Sequence, residues 1–155
     1  MGDLTQNFSL KEFLVSSTAD QLGLNNTPTA EHLRRIREVV APSLQKIRDL
    51  VGASIVITSA YRSPSVNRAV RGVPNSDHAQ AWAVDCHAAG LSILGLARFI
   101  RDAMQAGQPL HGLIDQLIFE SGRGIVHISF APRKRGMILT QRGGPGTPFQ
   151  LGIQP

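Results

Sequence analysis

The stretch Ser76-Asp77-His78-Ala79-Gln80-Ala81-Trp82-Ala83-Val84-Asp85 runs from a turn-rich loop, Pro74-Asn75-Ser76, into an apolar strand. It carries a histidine near the end of the loop and an aspartate inside the strand. A carboxylate placed among Trp82, Ala83, Val84 and Cys86 is costly to bury unless it is paired or bound to a metal. A second strand-like run, Ile125-Val126-His127-Ile128-Ser129-Phe130, holds another histidine. Two histidines and one carboxylate leave the fourth position of a tetrahedral zinc open, as in catalytic rather than closed structural sites. The expected ligands are therefore His78, Asp85 and His127, around one Zn2+. Read singly, His78 and His127 would each pass as structural histidines.

Working outward, the flanking segments predict an α+β chain with a small, mainly antiparallel sheet flanked by helices. Ser9 and Glu12 form a capping-box pattern that starts a short helix near Leu10, with Phe8 as the staple residue. Phe13, Leu14 and Leu22 give this region an apolar side to dock. Thr27-Pro28 reads as a new helix start. Leu33, Ile36, Val39, Val40, Leu44, Ile47, Leu50 and Val51 then recur at helical spacing as far as Gly52. Pro42 predicts a kink or two helices in tandem. The opposite face, Arg34, Arg35, Arg37, Lys46 and Arg48, reads as solvated.

Ser54 to Thr58 is a β-branched run and predicts a strand, followed by a short helix opened by Pro64. Residues 71 to 80 are loop, Trp82 to His87 a second strand, and Ser92 to Gln105 an amphipathic helix. Leu113 to Glu120 and Ile125 to Phe130 flank Ser121-Gly122-Arg123-Gly124, a hairpin signal. Met137 to Thr140 offers one more strand. The tail from 141 to 155, rich in Gly and Pro, is expected to be irregular.

The chain has 155 residues, which suits one domain, 1–155, with its motif-bearing core at 8–131. Hydrophobic content of 42% against 17% charged excludes a disordered chain. Cys86 is the only cysteine, so an intramolecular disulfide and a cysteine-based zinc cluster are both excluded, and Cys86 reads as a small core residue. The formal charge of +5 favours polyanions in a non-specific way. The N-terminus lacks the pattern of a signal peptide, and no apolar run approaches membrane-spanning length. The expectation is a protein that is cytoplasmic as made, monomeric, and acts after release or as part of a virion.

Strand alternation tests the candidate site. Ala83, Asp85 and His87 share one face of their strand; Ile125, His127 and Ser129 share one face of theirs. If the four-residue turn pairs Glu120 with Ile125, then Ile118 faces His127, and Glu120 lies on the same side. Glu120 is the candidate general base and Arg62 the candidate cation for a developing oxyanion. Zinc would lower the pKa of water towards ~7 and polarise a scissile carbonyl. Read alone, Glu120 is equally a strand-end residue and Arg62 a turn residue. Among the other histidines, His32 reads as a surface residue, His87 as a supporting group or strand terminus, and His111 as a loop residue with no special claim.

Taken together, these residues resemble a known family. Ser76-x-His78-x-x-Ala81-x-Ala83-x-Asp85 is similar to the S-x-H-x-x-G-x-A-x-D signature of zinc D-alanyl-D-alanine carboxypeptidases and L-alanyl-D-glutamate endopeptidases, which share the Hedgehog fold. Ser59-x-Tyr61-Arg62-Ser63-Pro64, with Asn67, resembles the family's S-x-Y-R-S-P-x-x-N segment. Asp115 to Glu120 and Val126 to Ser129 resemble its last two active-site strands. Phe8 to Phe13 resembles the N-terminal segment of a phage and bacterial branch. The resemblance implies zinc on His78, Asp85 and His127, Arg62, Ser76 and Asn67 in substrate binding, Arg62 also at the oxyanion, Ser76 also supporting the loop, and Glu120 as base. It implies hydrolysis of an amide bond in peptidoglycan peptides.

Three positions depart from the pattern. Ala81 stands where the signature has Gly, and would be strained if the turn needs positive φ. Gly124 stands three residues before His127, where many relatives carry the catalytic acid. Val126 replaces an aromatic. Two rival readings follow: a catalytically impaired zinc-holding structural or wall-binding module of the same fold, and a nucleic-acid-binding module built on Arg133-Lys134-Arg135. Aromatics at 5%, with no basic–aromatic interleaving, speak against the second.

Overall fold

The computed structural model describes residues 2–107, 110 and 112–155; His111 lies outside the described residues. The N-terminal third is helical. Helix α1 (Leu10–Leu14) begins with the expected capping box, in which the Ser9 amide donates to Glu12 Oε2 at 2.7 Å. Phe8 and Phe13 meet edge to face across it, 6.0 Å between centroids and both buried. Helix α2 (Ser17–Leu22) is capped by Ser16 and ends at Gly23 in the left-handed region. Leu22 is 60% exposed, so it docks nothing, contrary to expectation.

The next helix starts two residues later than Thr27-Pro28 suggests. Thr29 caps α3 (Ala30–Arg35) by accepting from the His32 amide, whereas Asn25 Oδ1 takes the Thr27 amide into a turn. The chain then passes through a π turn (Ile36–Val40) into α4 (Ala41–Val51) without a break. Pro42 has no N–H to give and its ring would meet the carbonyl of residue 38. The widened turn just before it, with the Ala41 amide reaching Ile36 O, absorbs the misfit, so helical segments follow in tandem. Gly52 ends α4 at φ +72°.

Six strands follow: β1 (Ile55–Ser59), β2 (Ala83–Ala88), β3 (Gln116–Glu120), β4 (Ile125–Ser129), β5 (Met137–Gln141) and β6 (Phe149–Leu151). Helix α5 (Pro64–Ala69) lies between β1 and β2, and α6 (Ile93–Gln105) between β2 and β3. The sheet order is β1-β2-β4-β3-β5-β6, antiparallel except for the β3–β5 pair. The α+β, mainly antiparallel architecture is as read from the sequence. The tail is not irregular throughout: β6 pairs with β5, and Thr140 Oγ1 donates to Gly152 O at 2.8 Å.

Alternation separates the two faces of the sheet. Val84, Cys86, Leu117, Phe119, Val126 and Ile128 point into the core, where Leu96, Ala97 and Ile100 of α6 and Leu44 and Ile47 of α4 are buried. The Cys86 thiol is fully buried, and desolvation with the nearby Asp85 charge pushes its pKa far up, so it behaves as a core methyl would. The opposite face carries Asp85, His127, Ile118 and Glu120.

Two residues of the basic triplet after β4, Arg133 and Arg135, are committed to the fold. Asp115 is fully buried, and its oxygens accept from Arg133 Nη2 at 3.0 Å, Arg135 Nη2 at 2.8 Å and the Arg135 amide at 3.0 Å. Two of the three basic residues behind the nucleic-acid reading are thereby occupied. Burial opposes ionisation of Asp115, but the Arg135 and Arg133 hydrogen bonds outweigh it and bring its pKa from 3.8 to about 2. A depressed carboxylate stabilises the fold above its unfolded pKa, and that stability is lost as pH falls through the folded value. Some 2 kcal/mol should disappear between about pH 5 and about pH 2. Urea unfolding across that range should show a smaller loss for Asp115→Asn than for the parent; parallel losses would contradict this assignment.

Candidate metal centre

Register brings the three candidate ligands together. Asp85 sits directly opposite His127 in the β2–β4 pair, and Ile118 opposite His127 in β3–β4. His127 Nδ1 lies 2.9 Å from Asp85 Oδ1, and His78 Nε2 lies 3.1 Å from the same oxygen. One ligand atom from each of His78, Asp85 and His127 falls within 4.8 Å of the others, and all three residues are buried. The two imidazoles meet edge to face, 5.0 Å apart.

His78 reaches this position from the loop because several bonds hold the loop. Its amide donates to Ser76 Oγ at 3.2 Å, and its carbonyl accepts from the amides of Arg62 and Ala81. A bulge in β1 places Ile57 opposite Cys86 and Ser59 opposite Asp85, so Thr58 is the extra residue. The bulge turns Ala60 over the site, where its carbonyl accepts from His78 Nδ1 at 2.8 Å. That bond fixes the ring's tautomer, leaving the Nε2 lone pair facing a carboxylate oxygen. Two acceptors face each other at 3.1 Å only when a proton or a cation lies between them. Burial pulls the His78 pKa down, against the opposing pull of Asp85, which disfavours the imidazolium. Desolvation resists the Asp85 charge, yet His78 and His127 hold its carboxyl well below the usual range. The donor set fits a divalent cation such as zinc.

Two guanidinium groups complete the cluster. Arg62, 9% exposed, donates through Nε to Ser59 Oγ at 3.3 Å and through Nη2 to Asp85 Oδ2 at 3.4 Å. Its backbone is tied down from both sides: Asn26 Nδ2 donates to Tyr61 O, and the Ser63 amide donates to Asn26 Oδ1. Burial lowers the Arg62 pKa, Asp85 counters, and the nearby Arg123 charge adds to the lowering. Arg123, in the β3–β4 turn, lies 3.6 Å from Asp85 Oδ2 and donates to Glu120 Oε1 at 3.1 Å. Sequence reading passed over Arg123 as a turn residue; its position three residues after a candidate base was the signal available.

A cleft of about 730 Å³ opens beside the cluster, with Arg62, Ser76, His78, Glu120, Arg123 and His127 in its wall. Its far wall comes from the tail, through Pro145, Thr147 and Phe149. Asp77 adds a strut that the sequence did not reveal: Oδ2 accepts from Ser129 Oγ at 2.6 Å and from Arg133. Asn67 is buried beneath the 70–73 turn, where Nδ2 donates to Val73 O, and it is not part of the cleft wall. His87 lies on Asp85's face but outside the ligand cluster. His32 is half-buried against the Tyr61 ring, 5.1 Å away, rather than on the surface. Arg35 also leaves the solvated face, stacking 4.8 Å over Trp82 and donating to Gln80 O.

The departures from the motif have conformational readings. Gly124 sits at φ +66°, so an acidic residue there would be strained. Ala81 sits at φ +61° with its side chain 3% exposed. The left-handed conformation costs an alanine ~1–2 kcal/mol. Glycine would relieve that, but would forgo ~0.8 kcal/mol from the buried methyl and ~0.4–1 kcal/mol through greater unfolded-state freedom. The effects nearly cancel, which explains how alanine is tolerated. Ala81→Gly should change urea stability by less than ~1 kcal/mol, whereas Ala81→Val, branched at Cβ, should cost more than ~2 kcal/mol. A large gain from Ala81→Gly would refute the balance.

A family model described as Peptidase M15 matches residues 6–120. That span includes His78, Asp85 and Glu120 and ends before His127. Comparison with curated proteins returned no match.

Proposed function

The chain belongs to the peptidase M15 family, and from that premise we propose that it is a zinc-dependent hydrolase of amide bonds in the peptide part of peptidoglycan, with residues 1–155 forming one catalytic domain. The observation that carries this reading is the buried His78–Asp85–His127 cluster at the wall of an open cleft, with a carboxylate and two guanidiniums beside it. His78, Asp85 and His127 would hold the metal. When bound, zinc activates water and polarises the scissile carbonyl.

Glu120 is 4% exposed and lies on the same sheet face as His127. It takes a proton from the attacking water and returns it to the leaving amine. Arg123 donates to Glu120 Oε1 and lies 3.6 Å from Asp85 Oδ2, which links that carboxylate to the cluster. Arg62, fixed by Ser59 and Asp85, offers N–H groups to the developing oxyanion. Ser76 holds His78 in place through its amide, and Asp77 anchors the same loop to β4. No helix among the described residues is long and apolar enough to cross a membrane.

Purified protein should contain one zinc per chain and release amines from peptidoglycan, and a chelator should stop the release. His78→Ala and Asp85→Ala should lose the metal and the activity together. Glu120→Gln should keep the metal and lose ~10²–10⁴-fold in kcat. Stoichiometric zinc with no amine released, and no effect of Glu120→Gln, would instead identify a non-catalytic module of the same fold.

A further inference from the structure

The cleft wall supplied by the tail stands at a place that strand register fixes. Glu120 of β3 pairs with Gln141 of β5, and Gln141 pairs with Phe149 of β6. Paired residues share a sheet face, so the three form one row, and all of them line the main cleft. Two strand spacings, about 10 Å, separate Phe149 from Glu120. A smaller cavity of about 460 Å³ lies on the β1 side, where Ser17, Thr58 and His87 help to line it, and the tail takes no part in its wall.

Phe149 is 53% exposed, whereas Phe8, Phe13, Phe119 and Phe130 are all buried. An exposed ring alone means little. This one stands in a cleft wall, on a segment that the fold holds in place. Gln141 is buried, and its Nε2 donates to Thr147 O at 3.0 Å and to Gly144 O at 3.5 Å. Thr147 Oγ1 donates in turn to Gly144 O at 2.8 Å, and the Gly152 amide to Ile138 O at 2.9 Å. The β3–β4 hairpin abuts the same segment, because a Cβ on Gly122 would collide with Arg142 O. The wall is therefore preorganised for whatever packs on it.

The two carbonyl acceptors fix which end of the Gln141 amide carries the nitrogen. Its Oε1 has no partner among the described residues and is not one of the buried atoms left without one, so it is open to the cleft. Outward from the candidate base, the row thus offers a carboxylate, a free acceptor and an aromatic face. An extended peptide laid along it brings a backbone N–H to the acceptor and, about three residues on at ~3.3 Å each, a side chain to the ring.

We propose that Phe149 is a specificity-determining residue, whose ring packs on an aliphatic side chain of the peptide about three residues from the bond cut. Gln141 positions the wall that carries it. The proposal rests on the peptidase reading of the cluster and adds a length requirement to it.

Zinc-loaded protein is given peptidoglycan stem peptides truncated stepwise from either end. Binding is read by calorimetry in the cold, and kcat/KM by mass spectrometry on warming. The full stem should be preferred over the shortest fragments by at least about fivefold, the scale of partly burying a phenylalanine side chain. Phe149→Ser, at an exposed position, should bring that ratio close to one while zinc content stays unchanged. Phe149→Tyr keeps the ring and should preserve the ratio. A parent ratio near one, a ratio that survives Phe149→Ser, or a preference seen only with N-acetylmuramic acid attached would overturn the subsite. Length-dependent affinity that Phe149→Ser abolishes, with no cleavage of any peptide, would support the subsite and overturn the hydrolase reading alone.

Discussion

Asp85 is the constraint on which the rest depends. A carboxylate with 1% of its surface exposed, in an interior strand of a packed sheet, is tolerable only when positive or hydrogen-bonding partners surround it. The chain supplies them from four separate places: His78 from a loop, His127 from the neighbouring strand, Arg62 from the turn after β1 and Arg123 from the β3–β4 hairpin. No element of the site face can shift without leaving that charge uncompensated. Much of the surrounding architecture serves to hold these partners still.

The support is layered. The β1 bulge brings the Ala60 carbonyl to His78; Asn26 ties α1's end and Tyr61 to Ser63 and so fixes Arg62. Asp77 and Asp115 share Arg133, which links the His78 loop to the start of β3 and to the segment entering β5. Arg133 and Arg135 thus act as scaffolding through Asp77 and Asp115. The parallel β3–β5 pairing that follows carries the tail to the cleft, where Thr147 and Phe149 form the wall that motif-based reading leaves out.

The electrostatics of the site face are uneven. The carboxylates Asp77 and Glu120 line the main cleft, while the β1-side cavity is lined by guanidinium, imidazole, hydroxyl and aliphatic groups with no carboxylate among them. Arg62 and Arg123 stand between, both anchored on Asp85.

By itself the sequence determined the periodic features. Alternation placed Asp85, His127 and Glu120 on one sheet face, the four-residue turn set Glu120 opposite Ile125, and capping and apolar spacing located α1, α4 and α6. These rest on neighbours a few residues apart, whose geometry any chain must obey. Only the tertiary structure decided what lay beyond that range. Arg123 became part of the site because a glycine-containing turn folds it back over Asp85. Asn67 left the cleft because the 70–73 turn closes over it. Arg35 left the solvent for Trp82, and the glycine-rich tail became a strand and a cleft wall. Each depends on contacts between segments distant in sequence, and nothing in local composition records which distant partner a side chain will meet.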